Sequence, residues 1–132
     1  MKKIAAAGMM ILIFTVGLRA FAAEDLFDFT GTWSGDYCTM SAGEGLDCGR
    51  LMAVVVAEQK NNLIRGTIKI GGKDYLWSGT ISPGHRIDYT DSLGTVGVLS
   101  LTRERNLQMK ALNRCLSGRD QCAHSGILMK KK

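Results

Sequence analysis

Four cysteines are the residues best suited to chemistry in this chain of 132 residues. Thiolates held close together bind zinc or form a redox centre, whereas oxidised pairs are structural disulfides. Structural zinc ligands usually occur as close Cys-x2–4-Cys pairs. Here nine residues separate Cys38 from Cys48, six separate Cys115 from Cys122, and Cys-x-x-Cys does not occur. The spacing therefore predicts two structural disulfides, with no metal and no other cofactor.

Two pairings of these cysteines are open. Local pairing joins Cys38 to Cys48 and Cys115 to Cys122, whereas crossed pairing joins Cys38 to Cys122 and Cys48 to Cys115. A closed loop of roughly ten residues stabilises a fold by about 3 kcal/mol and one of roughly 80 by about 4 to 5 kcal/mol, which modestly favours the crossed set. Geometry decides, because Cα atoms more than about 7 Å apart cannot be bridged. Local pairing is preferred because each pair brackets one loop.

Residues 1–22 have the pattern of a secretory signal peptide. Lys2 and Lys3 precede an apolar run of 15 residues from Ile4 to Leu18, and the triplet Ala20-Phe21-Ala22 fits signal peptidase. A membrane span needs about 20 apolar residues, so the cleaved chain is not expected to cross a membrane. The short basic signal predicts a periplasmic or secreted protein, with residues 23–132 as a single domain.

The charge balance of the predicted mature chain argues against nucleic acid as a partner. The signal removes three of the 17 basic residues, which leaves 14 against 12 acidic residues and a net charge of +2. Nucleic-acid-binding domains normally carry a basic stripe on the folded body. The tail Lys130, Lys131 and Lys132 predicts at most a weak contact with an anionic envelope surface.

The elements that position these residues are predicted to be strands. Apolar residues alternate with polar ones, and turn residues such as Gly71-Gly72 separate the alternating segments. The pattern predicts strands at residues 29–37, 50–58, 63–70, 73–82, 85–90, 95–102, 107–114 and 123–129. No connection is long enough for a crossover helix, so neighbours are antiparallel. Closure removes both sheet edges and predicts an all-β, eight-stranded antiparallel up-and-down barrel; a two-sheet β-sandwich is the alternative.

The first predicted strand resembles that of the lipocalins and avidins, the calycin barrels. Gly31-Thr32-Trp33 carries the Gly-x-Trp pattern, and large residues alternate with glycines from Phe29 to Tyr37. The resemblance implies a barrel whose closed end is plugged by Trp33. No arginine of the last two strands is clearly a partner that would stack on Trp33.

An alternating up-and-down strand order brings all four cysteines to one rim of the barrel. The two longest loops, from Cys38 to Gly49 and from Cys115 to Cys122, lie there, and loops on a rigid scaffold often carry binding residues. One hypothesis is a protein that binds a small molecule at this rim or in the interior. Its predicted ligand-binding residues are Trp33, Tyr37, Met40, Tyr75, Trp77 and Tyr89.

The alternative hypothesis is a protein-binding module, such as an inhibitor of a periplasmic or host enzyme. It would use the loop from Cys38 to Gly49 as a wedge. Its predicted contact residues at the rim are Asp36, Glu44, Asp47 and Arg119.

Catalysis has little support in the sequence. His85 and His124 begin strands at opposite ends of the predicted barrel, and neither Gly-x-Ser-x-Gly nor His-Glu-x-x-His occurs. A pair of rim carboxylates could do acid–base work only if one had a raised pKa. We therefore expect a protein that is not an enzyme.

Overall fold

The computed structural model describes residues 26–115 and 120–132 and contains the eight expected strands. They are β1 (Gly31–Ser41), β2 (Gly45–Lys60), β3 (Leu63–Ile70), β4 (Lys73–Ser82), β5 (Arg86–Asp91), β6 (Val96–Leu101), β7 (Leu107–Arg114) and β8 (Gln121–Lys130). Three of them, β3, β4 and β7, have the predicted bounds. Gly71 and Gly72 both have positive φ in the turn between β3 and β4, as the predicted hairpin requires.

The strands form a closed barrel in which each pairs antiparallel with its neighbours. The seam is made by β1 and β8, which pair from Trp33 opposite Lys130 to Ser41 opposite Cys122. The predicted all-β up-and-down barrel is therefore confirmed, and the sandwich is not formed. The architecture is consistent with the calycin-like barrel that the first strand resembles.

The predicted loop between Cys38 and Gly49 is instead a β-hairpin. Thr39, Met40 and Ser41 at the end of β1 pair with the start of β2, and only residues 42–44 form the turn. β3 pairs with β2 only from Met52 onwards, so residues 45–51 of β2 are bonded to β1 alone. This hairpin extends the wall of the barrel on one side of the rim.

The end of the barrel opposite the hairpin is sealed by the segment before β1. Trp33 and Phe29 are fully buried there, and the Trp33 Nε1–H donates to the Phe29 carbonyl oxygen at 2.8 Å. The Gln59 side chain accepts from the Phe29 N–H and donates to the Phe27 carbonyl, each at 2.9 Å. The Lys130 Nζ lies 5.4 Å from the Trp33 ring centroid, so a lysine of β8 stacks on Trp33, where the sequence showed no clear arginine partner.

Both disulfides have the local pairing, Cys38–Cys48 and Cys115–Cys122. Their Cα–Cα distances are 4.0 and 5.0 Å, within bridging range, and both lie at the same rim. Two disulfides are typical of an oxidising environment, either extracellular or periplasmic. No helix in the part of the chain that the structure describes is long and apolar enough to cross a membrane.

Candidate functional site

A cavity of about 150 Å³ lies inside the barrel and opens at the disulfide rim. Its lower part is lined by apolar side chains from three strands, Met52, Ile68 and Met109. Three tyrosines and a group of polar residues form the rest of the wall. These residues are Tyr37, Thr39, Tyr75, Tyr89, Thr95, Asn113 and His124. The charged side chains of the lining therefore lie toward the mouth, where the apolar Ile70 and Leu93 also contribute.

A chain of hydrogen bonds crosses one side of this wall. His124 Nδ1 lies 2.8 Å from the Thr39 hydroxyl, and His124 Nε2 lies 2.7 Å from the Asn113 amide oxygen. Asn113 in turn donates from Nδ2 to the Thr95 hydroxyl at 3.2 Å. An amide oxygen can only accept, so Nε2 carries the proton and Nδ1 accepts from Thr39. This arrangement suits a neutral imidazole and joins β1, β8, β7 and the start of β6.

The surroundings of His124 also favour its neutral form. Partial burial of the ring lowers the pKa of His124 below its ordinary value. The Arg50 guanidinium lowers it further, whereas the Asp91 carboxylate acts in the opposite direction. His124 is therefore uncharged at neutral pH.

The mouth of the cavity carries three carboxylates and one guanidinium, from Glu44, Asp47, Asp91 and Arg50. Arg50 forms an ion pair with Asp47, with Nη2 and Oδ2 2.7 Å apart. The Asp91 Oδ1 accepts hydrogen bonds from the backbone N–H groups of Leu93 and Thr95, at 2.9 and 3.0 Å. These two bonds fix the Asp91 side chain at the mouth.

Tyr89 is one of the enclosed polar residues of the wall, with 5% of its surface exposed. Its burial, and secondarily the Asp91 charge, raises the pKa of the Tyr89 phenol, which therefore stays protonated. The ring packs over Gly97, where an added Cβ would lie 2.8 Å from the hydroxyl oxygen. No hydrogen bond joins this hydroxyl to another described residue, and no fully enclosed polar side-chain atom among them lacks a partner. The hydroxyl is therefore open to the cavity.

The structure gathers only part of the predicted ligand-binding set at the cavity. Tyr37, Tyr75 and Tyr89 line it. Trp33 plugs the sealed end, and Trp77 is buried behind Tyr89, with ring centroids 5.9 Å apart. Met40 is exposed on the outer face of the barrel.

The predicted protein-contact residues are likewise divided. Glu44 and Asp47 lie at the mouth of the cavity. Asp36 is exposed on β1 and does not line the cavity. Arg119 lies outside the described residues.

A row of exposed apolar side chains crosses the outer face of five neighbouring strands, from β6 through β7, β8 and β1 to β2. Each member is paired in register with the next. The members of this outer row are Val96, Leu112, Ala123, Met40 and Leu46. The row ends on the hairpin, beside the disulfide Cys38–Cys48.

A larger concavity of about 1270 Å³ follows the outer face of the barrel from the end of β2 to β8. Its surface carries the exposed ion pairs Glu58–Arg65 and Arg86–Asp88, with N–O distances of 2.6 and 2.9 Å. Exposed pairs of this kind contribute little to stability. In residues 26–115 and 120–132, no group of three His, Cys, Asp or Glu side chains could hold a metal ion.

Sequence reasoning did not single out Arg50, Asp91, Thr95, Asn113 or His124 as parts of one site. A signal for two of them was present in the alternation of β7 and β8. The inward positions of β7 read Leu107, Met109, Ala111 and Asn113, so the apolar series ends in an amide at the rim. A polar residue at an inward position of a barrel strand predicts a polar interior at that level.

Comparisons with profiles of known protein families, with curated proteins and with solved structures find no match to this chain. The geometry of the site is therefore the basis on which a function can be assigned.

Proposed function

We propose that this protein is a secreted or periplasmic, non-enzymatic binding protein that takes a small molecule into the cavity at the disulfide rim. The observation that carries the proposal is an interior open at one end, with apolar side chains below and polar ones above. Small-molecule sites are typically concave and mostly apolar, with a few polar groups that fix orientation. An eight-stranded barrel is wide enough to hold one small ligand.

The volume of the cavity limits the ligand to a few heavy atoms. An apolar protein cavity of about 150 Å³ can hold a benzene molecule, and this cavity has about the same volume. Pockets for drug-sized ligands span roughly 300 to 1,000 Å³. A fatty acid or a steroid exceeds this volume and would protrude through the mouth, whereas a short-chain molecule fits inside.

A fragment screen by two-dimensional NMR tests the proposal. Ligands of four to eight heavy atoms are expected to shift the amide signals of Thr39, Thr95 and Ala111. Ala111→Met places a larger side chain in the buried wall and is expected to weaken binding at least tenfold. Leu112→Met, one residue along β7 on the outer face, is the matched control and should bind as the wild type does. If a fragment still binds to the Ala111→Met variant and shifts amide signals on the outer face, the cavity is not the binding site.

A second candidate function is a protein-binding module, and the outer row together with the hairpin favours it. Leu46 and Leu51 lie in the part of β2 that has no β3 partner, and both are exposed. An unpaired strand edge with apolar side chains offers backbone hydrogen bonds and contact area to a partner protein. The hairpin would then make the contact that the loop from Cys38 to Gly49 was predicted to make.

Affinity capture from envelope extracts and host fluids tests this second function. Leu46→Lys is expected to abolish recovery of a specific partner because it places a charge in the outer row. Leu76→Lys is the control, since Leu76 is 73% exposed, more than Leu46 at 64%, and lies on β4 away from the row. Equal recovery with both variants would exclude the hairpin as the contact surface.

A further inference from the structure

We propose that the cavity selects a small amphipathic amine, a protonated ammonium group on a short apolar stem. The inference depends on the proposed small-molecule function, because it names the class of molecule that the cavity accepts. Four observations support it: the polarity gradient, the charge at the mouth, the open hydrogen-bonding atoms and the tyrosine rings.

The polarity gradient sets the orientation of the ligand. Met52, Ile68 and Met109 line the lower cavity and have no polar side-chain group apart from thioether sulfur. The charged residues of the lining are all near the mouth, where β1 and β5 end and β2 begins. An apolar stem is therefore expected to enter first and to displace water from the thioethers and Ile68, which is favourable. The polar end of the ligand then stays at the mouth.

The charge at the mouth selects the sign of that polar end. Among the described residues that line the cavity, Arg50 is the only basic one, and it is already paired with Asp47. The neutral His124 adds no positive charge, so the carboxylates of Glu44 and Asp91 give the described part of the mouth a net negative charge. Such a mouth concentrates cations and repels anions.

Asp91 and Tyr89 each supply an oxygen atom that could accept a hydrogen bond from an ammonium group. They are two residues apart on β5, so both side chains point inward. Both backbone bonds to Asp91 use Oδ1, which leaves Oδ2 without a hydrogen bond from any described residue. The Tyr89 hydroxyl oxygen is also unpartnered. An ammonium group has three donors and no acceptor, and it would donate to these two oxygens.

The tyrosine rings add a further preference for a cation. Tyr37, Tyr75 and Tyr89 line the same small volume. Aromatic faces attract ammonium groups, and the attraction is stronger where water is displaced. A neutral ligand of the same shape gains the apolar contacts with these rings but not this attraction.

Three molecules of nearly equal size test the class of ligand. Butylamine, butanol and butyrate have the same four-carbon length and differ in charge, and their dissociation constants can be measured by NMR titration at pH 7. Butylamine is expected to bind at least tenfold more tightly than butanol, and butyrate should not bind. Butanol binding as tightly as butylamine, or butyrate binding more tightly, would overturn the preference for an amine while leaving the cavity as a binding site. No binding of these molecules or of any screened fragment would overturn the proposed function as well.

Asp91→Asn tests which group recognises the amine. Asn keeps an acceptor oxygen for the Leu93 and Thr95 N–H groups, so the turn is preserved while the charge is lost. The variant is expected to weaken butylamine binding at least tenfold and to leave butanol binding unchanged. Asp88→Asn removes a carboxylate from the outer face of the same strand and should have no effect on either ligand. If Asp91→Asn and Asp88→Asn weaken butylamine binding equally, the carboxylates act only through long-range charge, which would contradict direct recognition by Asp91.

Discussion

His124 is the residue on which most of the polar wall depends. Both of its ring nitrogens are bonded, and the two bonds connect His124 on β8 to Thr39 on β1 and to Asn113 on β7. The same ring lies with its edge toward Tyr37, 6.0 Å between centroids. Protonation of His124 would therefore change the hydrogen bonds on both sides of its ring, to Thr39 and to Asn113.

We predict that the free energy of unfolding falls as the pH is lowered from 7 to 5. The folded state holds the pKa of His124 below its unfolded value of about 6.5, mainly because the ring is partly buried. Between these two pKa values the unfolded chain binds more protons than the folded chain does, so the free energy of unfolding rises with pH across this window. Below the window the contribution of His124 to stability is lost. Urea unfolding at pH 7.5 and pH 5.0 measures the difference.

His124→Gln is expected to reduce this pH dependence, since Gln can keep one donor and one acceptor in the wall but does not titrate. His85→Asn, at an exposed position near the sealed end, is the control and should keep the wild-type dependence. Identical pH profiles for the wild type and His124→Gln would show that His124 does not contribute.

Residue types alone predicted some side-chain roles and not others. The resemblance of the Gly-x-Trp pattern to the first strand of the calycin barrels implied that Trp33 lies at the closed end, where the structure places it. It could not identify Lys130 as the stacking partner, since that depends on the register between β1 and β8. Met40 was assigned to the ligand site from its loop, but strand pairing turns it outward.

The hairpin formed by the ends of β1 and β2 is the element least supported by its neighbours. β2 residues 45–51 have β1 on one side and no strand on the other. The disulfide Cys38–Cys48 lies within this stretch, and Ser41 Oγ accepts from the Glu44 N–H at 2.9 Å in the turn. Natural proteins usually protect an exposed edge of this kind with charged side chains, a bulge or a covering segment.

We predict that replacing Cys38 and Cys48 by Ser loosens the hairpin before the rest of the barrel. The chain-entropy model gives a loss of stability of about 3 kcal/mol for a loop of this length. Amide hydrogen exchange should become faster at Thr39, Met40 and Leu46, while Val54 and Val56 in the core of β2 stay protected. The double Ser variant of Cys115 and Cys122 is the control and should leave hairpin exchange unchanged. Uniformly faster exchange throughout β2 would contradict a local role for this disulfide.

The strand bounds that sequence predicted correctly are those set by turn chemistry. β3 and β4 are bounded by Asn61-Asn62, Gly71-Gly72 and Pro83-Gly84, which end strands whatever the tertiary contacts. The hairpin was predicted as a loop because its residues do not alternate between apolar and polar. It forms strands because β8 pairs with the end of β1 and a disulfide joins its two arms, neither of which local pattern reveals.

Closure of the whole barrel could be predicted, and its hollow upper half could not. Eight short strands joined by tight turns have two edges to satisfy, and pairing the last strand with the first satisfies both. Whether the interior is filled depends on the summed volumes of side chains at each level. The lower half is filled by Trp33, Phe29 and Leu107, whereas Ala111 and Thr39 leave space beside His124.

The closure of one end of the barrel by Phe29, Trp33 and Lys130 has a consequence for the rates at which a ligand would bind and dissociate. Because this end is closed, a small molecule bound in the cavity as proposed would enter and leave only through the mouth, between the hairpin and the disulfide Cys115–Cys122. A substitution that narrows the mouth without contacting the bound ligand would lower the association and dissociation rate constants by the same factor, because both processes cross the same barrier. Residence time would then lengthen while the equilibrium occupancy stayed constant.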